Sequence, residues 1–172
     1  MIDIYTNRLH LRQITRKDCE QIFSCWASDK EVTKYLTWHA HQNIETTMQV
    51  IDYWLNQYKK NNCYRYGIEL RDTNKLIGMI DVVNYINNDP VIGYVLGKAY
   101  WNNGYMTEAL KAVVNKLFCD GYSRILIEAD EKNIGSNSVI RKNGFKFMKK
   151  ETKQCSKLKP ETVTTNWYVK TR

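Results

Sequence analysis

The residues at 101–106, WNNGYM, sit where a helix begins, since Met106, Ala109, Leu110, Val113 and Leu117 recur at helical spacing beyond them. Two asparagines and a glycine directly before a helix leave its first N–H groups bare. Those groups have no intrahelical acceptor, carry partial positive charge and attract anions. Gly104 adds close access to the main chain. Such a loop can cradle a phosphate; the plainer reading is a strand–helix connection capped by Asn. Familiar phosphate loops are absent: Gly97-Lys98 is followed by Ala99 rather than Ser or Thr, and no GxGxxG occurs.

Other chemistries find less support. The cysteines, Cys19, Cys25, Cys63, Cys119 and Cys155, form no CxxC, and no Cys/His set has zinc spacing. They read as reduced, mostly buried thiols, and no metal is expected. No Ser/His/Asp or Cys/His/Asn set emerges for nucleophilic catalysis.

The elements that must position the loop follow from periodicity. The chain has 172 residues, 43% of them hydrophobic and spread throughout, and reads as one domain over 1–172. RLHLRQI alternates as a strand, and Thr15 with Asp18 resembles a capping box opening a helix to about Ala27. A short helical turn is expected over 29–34, then a helix over 44–61 with Ile44, Met48, Ile51, Leu55 and Tyr58 on its apolar face. CYRYGIEL, LIGMIDVVNYI and VIGYVL read as an antiparallel meander, turned at RDTNK and NNDP. The loop's helix ends near Asp120-Gly121, ILIEAD is a buried strand, and SNSVIRKNG is a short helix stopped by Gly144. Strands over 146–153 and 163–170 finish the chain. The order β-α-α-β-β-β-α-β-α-β-β implies an α/β (α+β) fold with a mainly antiparallel sheet and one parallel pair within 91–130.

Lys and Arg number 26 against 18 Asp and Glu, a formal charge of +8. That balance suits an anionic partner or a plain solvated basic surface. No apolar run approaches the ~20 residues of a membrane span. MIDIYTNRLHLRQ lacks a signal-peptide core, so a cytoplasmic protein without membrane partners is expected.

IGYVLGKAYWNNGYMTEALKAVVNKLF resembles the acetyl-CoA segment of the GNAT superfamily of N-acetyltransferases. The family pattern Gln/Arg-x-x-Gly-x-Gly/Ala falls on Trp101, Asn102, Asn103, Gly104, Tyr105 and Met106. Gly104 matches. Trp101 stands for Gln or Arg, as in RimJ/RimL-like YWGKGYATEA sequences, and Met106 for a small residue. EADEKNIGSNSVIRKNGF resembles the family's next segment, through Asn133, Ser136, Gly144 and Phe145. TNRLHLRQITRKD and YLTWHAHQNIETT are similar to the opening and the substrate loop of the RimJ/RimL-like branch of ribosomal-protein N-terminal acetyltransferases.

The resemblance implies a GNAT-like fold and direct acetyl transfer from acetyl-CoA to an amine, with a protein N-terminal α-amine as acceptor and homodimers common in the branch. The backbone of Tyr94, Val95 and Leu96 would bind the pantetheine arm, with Gly93 marking a bulge or splay. The pyrophosphate would lie over Asn102, Asn103, Gly104, Tyr105, Met106 and Thr107, and Asn133 would orient the cofactor or a water. The family's frequent tyrosine acid falls on Ile140. Ser136 is the branch's substitute and would act by hydrogen bonding rather than free proton donation, or would simply cap its helix. The family's frequent Glu falls on Val91, leaving Asp81, Glu31, His39 and His41 as base candidates beside water-mediated deprotonation. Trp38 and His39 would line the acceptor site, or Trp38 would pack in the core.

Three rival readings remain at this stage. The acceptor is a small amine such as a polyamine or aminoglycoside. The domain binds CoA without catalysis, which Val91, Met106 and Ile140 suggest. Or it binds nucleic acid, which the charge suggests but the core-like spacing of its aromatics opposes.

Overall fold

The structure is a computed structural model describing residues 2–59 and 63–172. Eight strands form one sheet in the order β1-β2-β3-β4-β5-β6-β8-β7. The alternating RLHLRQI stretch supplies β2 (Leu9–Arg12), and a two-residue strand, β1 (Ile4–Tyr5), too short to show a period, pairs with it. The meander is β3 (Arg65–Leu70), β4 (Leu76–Ile86) and β5 (Asp89–Leu96), antiparallel throughout. Its second turn places Asn87 (φ 52°) and Asn88 (φ 68°) in the left-handed region that a two-residue hairpin turn favours.

The first helical segment is three pieces rather than one. A 3-10 turn, Arg16–Asp18, leads into α1 (Cys19–Ile22) and then a π-helical turn, Phe23–Ala27. The Asp18 carboxylate accepts the Thr15 N–H at 2.7 Å, so the expected capping residue is in place. Asp29 caps α2 (Lys30–Thr33), and Asn43 caps α3 (Ile44–Gln57). The third helix ends at Gln57 rather than 61; Asn61 lies outside the described residues.

The remaining elements are α4 (Tyr105–Cys119), β6 (Arg124–Asp130), α5 (Ile134–Lys142), β7 (Lys146–Gln154) and β8 (Thr162–Thr171). α4 buries Leu110, Val113 and Leu117 with Ile80, Ile92 and Ile127 of the sheet. On the opposite face, Trp26, Ile22 and Ile51 of the first three helical segments bury Leu76 and Val95. Apolar side chains thus cover both sides of β4 and β5, which is why those strands read as near-continuous hydrophobic runs.

One pairing departs from regularity and opens the sheet. β5 and β6 are parallel and meet only at Val91–Leu126 and Ile92–Ile127. Past those residues β5 continues along β4 to Leu96, while β6 continues along β8 to Asp130. The strands therefore diverge toward the end where α4 begins.

Candidate active site

Among the described residues, the divergence leaves Tyr94, Val95 and Leu96 with no strand partner on their β6 side. Of the bulge or splay expected at Gly93, the splay is present, since the β5–β6 pairing ends at Ile92, while the bulge lies across from it in β4. Val82 pairs with Ile92 and Asn84 with Val91, so Val83 is the extra residue of a bulge in β4. A Cβ at Gly93 would meet Val83 Cγ1 at 2.7 Å, so the glycine makes room for the bulged side chain.

A 3-10 turn, Lys98–Tyr100, carries the chain from β5 to the 101–106 loop. The Trp101 indole N–H donates to the Leu96 carbonyl at 2.8 Å, giving the last residue of β5 a partner. Asn102 (φ 61°) and Gly104 (φ 78°) both adopt left-handed backbone, tightening the approach to α4. Gly104 is the N-cap and has no side chain to offer. The first bond across it runs from Glu108 N–H to the Gly104 carbonyl at 3.0 Å. The N–H groups of Tyr105, Met106 and Thr107 precede that bond at the positive end of a 15-residue helix. Met106 points its side chain into the core, at 4% exposure, so only its N–H faces the loop's concern and its bulk leaves the loop free.

The loop is held from a distance. Arg8 Nη1 donates to the Asn103 carbonyl at 2.9 Å, its Nε donates to Glu108 Oε2 at 2.7 Å, and its guanidinium lies 4.5 Å from the Tyr105 ring centroid. Glu108 Oε1 also accepts the Arg8 N–H at 2.9 Å and the Thr6 hydroxyl at 2.6 Å. Burial alone would push the Glu108 carboxyl up, but the hydrogen bonds from Thr6 and Arg8 outweigh it and hold it below its ordinary value. Sequence reasoning missed this brace. Both halves lie in stretches singled out above, TNRLHLR and YMTEA, but nothing in either names the other.

A second group faces the loop's strand from α5. Asn133 Oδ1 accepts the Ser136 N–H at 3.0 Å and so caps the helix. Ser136 is therefore not the cap; its hydroxyl stands 2.8 Å from the Tyr94 phenol oxygen. Asn137 anchors the helix: its amide donates to the Asp130 and Asn133 carbonyls, and its Oδ1 accepts the Tyr168 hydroxyl at 2.7 Å. Tyr94 thus ties the diverging end of β5 to the first turn of α5.

The expected acceptor residues lie toward the other face. Trp38 packs against the cluster that includes Trp26 and Val95, with its ring centroid 5.1 Å from that of His41. His39 is exposed. The loop between β7 and β8 closes on this region: Lys159 Nζ, on a buried residue, donates to the Lys34 carbonyl at 3.0 Å, and Ser156 Oγ donates to the Thr37 carbonyl.

The base candidates are differently placed. Asp81 is 3% exposed and accepts Arg65 Nε at 2.6 Å; burial raises its pKa against the opposing pull of that guanidinium. His41 is bonded to Thr47 Oγ1 at 2.8 Å, and burial lowers its pKa. Glu31 is ion-paired with Lys98. Among the described residues no group of His, Cys, Asp or Glu could hold a metal ion, and no helix is long and apolar enough to cross a membrane.

A mixed sheet split between two parallel strands, with a bare helix N-terminus at the open end, is the architecture of an acetyltransferase fold. The chain belongs to the GNAT acetyltransferases: residues 8–146 match the acetyltransferase (GNAT) domain. It is an N-acetyltransferase of that family. It is 37% identical over 143 residues to an uncharacterized N-acetyltransferase of Bacillus subtilis, YoaA, covering 81% of this chain and 80% of the relative. The fold matches RimL, the ribosomal L7/L12 alpha-N-protein acetyltransferase in complex with coenzyme A, with a TM-score of 0.84 at 21% identity, over 99% of this chain and 98% of that one. It also matches the microcin C7 self immunity acetyltransferase MccE in complex with acetyl-CoA and AMP, with a TM-score of 0.85 at 20% identity, over 97% and 94% of the two chains.

Proposed function

We propose that the protein transfers an acetyl group from acetyl-CoA to a protein N-terminal α-amine, in the manner of the RimJ/RimL-like branch. The observation that carries the acetyl-CoA assignment is the unpaired edge of Tyr94–Leu96 opening onto the bare N–H groups of Tyr105, Met106 and Thr107. A pantetheine arm needs main-chain partners in an extended row, and a pyrophosphate needs convergent N–H donors. The chain offers both at one end of one strand, and Gly104 leaves the approach open. Asn102 and Asn103 complete the loop's rim.

Acetyl-CoA, when bound, supplies an acetyl thioester whose carbonyl carbon an amine can attack. The free N–H groups of the β5 edge polarise the acetyl carbonyl, as an oxyanion hole does. Ser136 offers its hydroxyl as a hydrogen-bond donor to the departing sulfur, and Asn133 orders the turn that presents it. Trp38 and His39 border the acceptor entrance. The acceptor amine loses its proton through water, directly or by way of the exposed His39, because Asp81 is paired with Arg65, Glu31 with Lys98 and His41 with Thr47. The protein acceptor draws support from the whole-length likeness to RimL. A small-molecule acceptor is the second reading, favoured by the equal likeness to MccE.

The test is thiol release from acetyl-CoA with a panel of N-terminal peptides, polyamines and aminoglycosides. Peptide turnover is expected. Turnover confined to the small amines would replace the acceptor assignment. Thermal stabilisation by CoA without turnover of any amine would make the protein a CoA-binding regulator.

A further inference from the structure

The contact between Tyr94 and Ser136 joins a strand residue expected to act through its backbone to the one side chain expected to meet the sulfur. The phenol oxygen lies 2.8 Å from Ser136 Oγ and 3.2 Å from the Ser136 carbonyl. That carbonyl lies in the first turn of α5, where the helical ladder already gives it a partner. The hydroxyl has no such prior claim, because Asn133 caps the helix instead. The hydroxyl contact is the shorter of the two, and either oxygen can be its donor. Two hydroxyls so close can share one hydrogen in either sense, and the sense decides what Ser136 can do. With the phenol as donor, the serine lone pair is occupied and its own proton is free to turn toward the cleft. With the serine as donor, its proton is spent on the phenol.

We propose that Tyr94 is a positioning residue: its phenol donates to Ser136 Oγ and so directs the Ser136 proton into the gap between β5 and β6. Burial pushes the Tyr94 phenol above its ordinary value, against the pull of the Ser136 contact, so the phenol keeps the proton that this sense requires. The anchoring of α5 by Asn137 keeps Ser136 within reach. No proton changes owner in this arrangement; Ser136 gives a hydrogen bond and keeps its hydrogen. The inference rests on the reading that CoA occupies the gap with its sulfur near Ser136.

The test compares wild type, Tyr94→Phe, Ser136→Ala and the double variant, each bound to CoA. The readout is the pH at which the bound thiol ionises, taken from thiolate absorbance with the desulfo-CoA complex subtracted to remove tyrosine signals. In wild type the bound thiol is expected to titrate roughly one pH unit below free CoA, the size of one good hydrogen bond to the thiolate. Ser136→Ala should abolish the shift, Tyr94→Phe should remove most of it, and the double variant should match Ser136→Ala. With a peptide amine as acceptor, Tyr94→Phe should lower kcat roughly tenfold with the KM for acetyl-CoA unchanged. A full shift retained in Tyr94→Phe while Ser136→Ala loses it overturns the role of Tyr94 alone. So does a double variant that loses more than Ser136→Ala. A shift absent from wild type, or untouched by Ser136→Ala, overturns the Ser136 assignment and this proposal with it.

Discussion

Arg8 and Glu108, one hundred residues apart in the chain, meet with Nε 2.7 Å from Oε2. The same guanidinium reaches the Asn103 carbonyl, and the same carboxylate takes the Thr6 hydroxyl and the Arg8 N–H. The turn between β1 and β2 is thereby fastened across the loop at the start of α4. Fastening matters because an anion cradle made of main-chain donors works only if the donors are already aimed. Glu108→Ala should raise the KM for acetyl-CoA about tenfold, equivalent to ~1.4 kcal/mol and within the range for hydrogen bonds to charged groups. kcat should change little, because Glu108 does not face the expected position of the thioester. Steady-state kinetics varying acetyl-CoA at saturating acceptor separate the two.

The same carboxylate makes stability pH-dependent in a stated direction. Glu108 and Asp18 both carry folded pKa values below their ordinary ones of 4.5 and 3.8; in each, burial pulls upward and hydrogen bonds to arginine and threonine win. A depressed carboxylate contributes stability that is complete above the unfolded value and is lost as pH falls through the folded one. The melting temperature should therefore hold near neutrality and decline below about pH 4.5. Glu108→Gln should shrink that decline while lowering the plateau, as thermal melts across the acid range would show.

Gly104 supplies φ 78° and no side chain at the N-cap of α4. A Cβ there would have ordinary space, its nearest neighbour being Arg8 NH2 at 3.5 Å. Gly104→Ala should accordingly cost only the left-handed backbone penalty, roughly 1–2 kcal/mol. Gly104→Trp should in addition block the cradle and abolish thermal stabilisation by CoA. Unchanged CoA affinity in that variant would move the pyrophosphate elsewhere.

Asp81 is one half of a buried ion pair. Arg65 and Asp81 are 13% and 5% exposed at their side chains, and Arg65 Nη1 is buried without a hydrogen-bond partner among the described residues. Removing one partner strands the other, so Asp81→Ala should cost about 3–5 kcal/mol. Pairing it with Arg65→Met should recover much of that loss. Denaturant melts of the two single variants and the double variant form the cycle that checks it.

The sheet and its helices were legible because their periods are local: Tyr64, Tyr66, Ile68 and Leu70 alternate, and Leu110, Val113 and Leu117 share one helix stripe. The bare start of α4 was legible because a glycine directly before a helical stripe announces it. What escaped was set by contacts across the fold. The bulge is at Val83 rather than Gly93 because a close approach between neighbouring strands leaves a glycine on one side and the extra residue on the other. The Arg8–Glu108 brace and the Tyr94–Ser136 contact join segments far apart in the chain that only the folded sheet and its helices bring together. Trp101, in place of the family's Gln or Arg, reads as an oddity until its indole is seen on the Leu96 carbonyl.

An unpaired strand edge is ordinarily an invitation for another chain to add to the sheet. The outer rims of this sheet are guarded in the usual ways. β1 is only two residues long, and β7 carries Lys146, Lys149, Lys150 and Lys153. The apolar, unguarded edge, that of Tyr94, Val95 and Leu96, is instead kept in the middle of the sheet, between the chain's own β4 and β6. Because the two strands touch at Val91 and Ile92 and part beyond them, that edge lies in a wedge, entered from one end. A foreign strand needs a straight berth along its whole length, and the wedge denies it one. The same divergence therefore withholds that edge from the strand addition that an outer rim would invite.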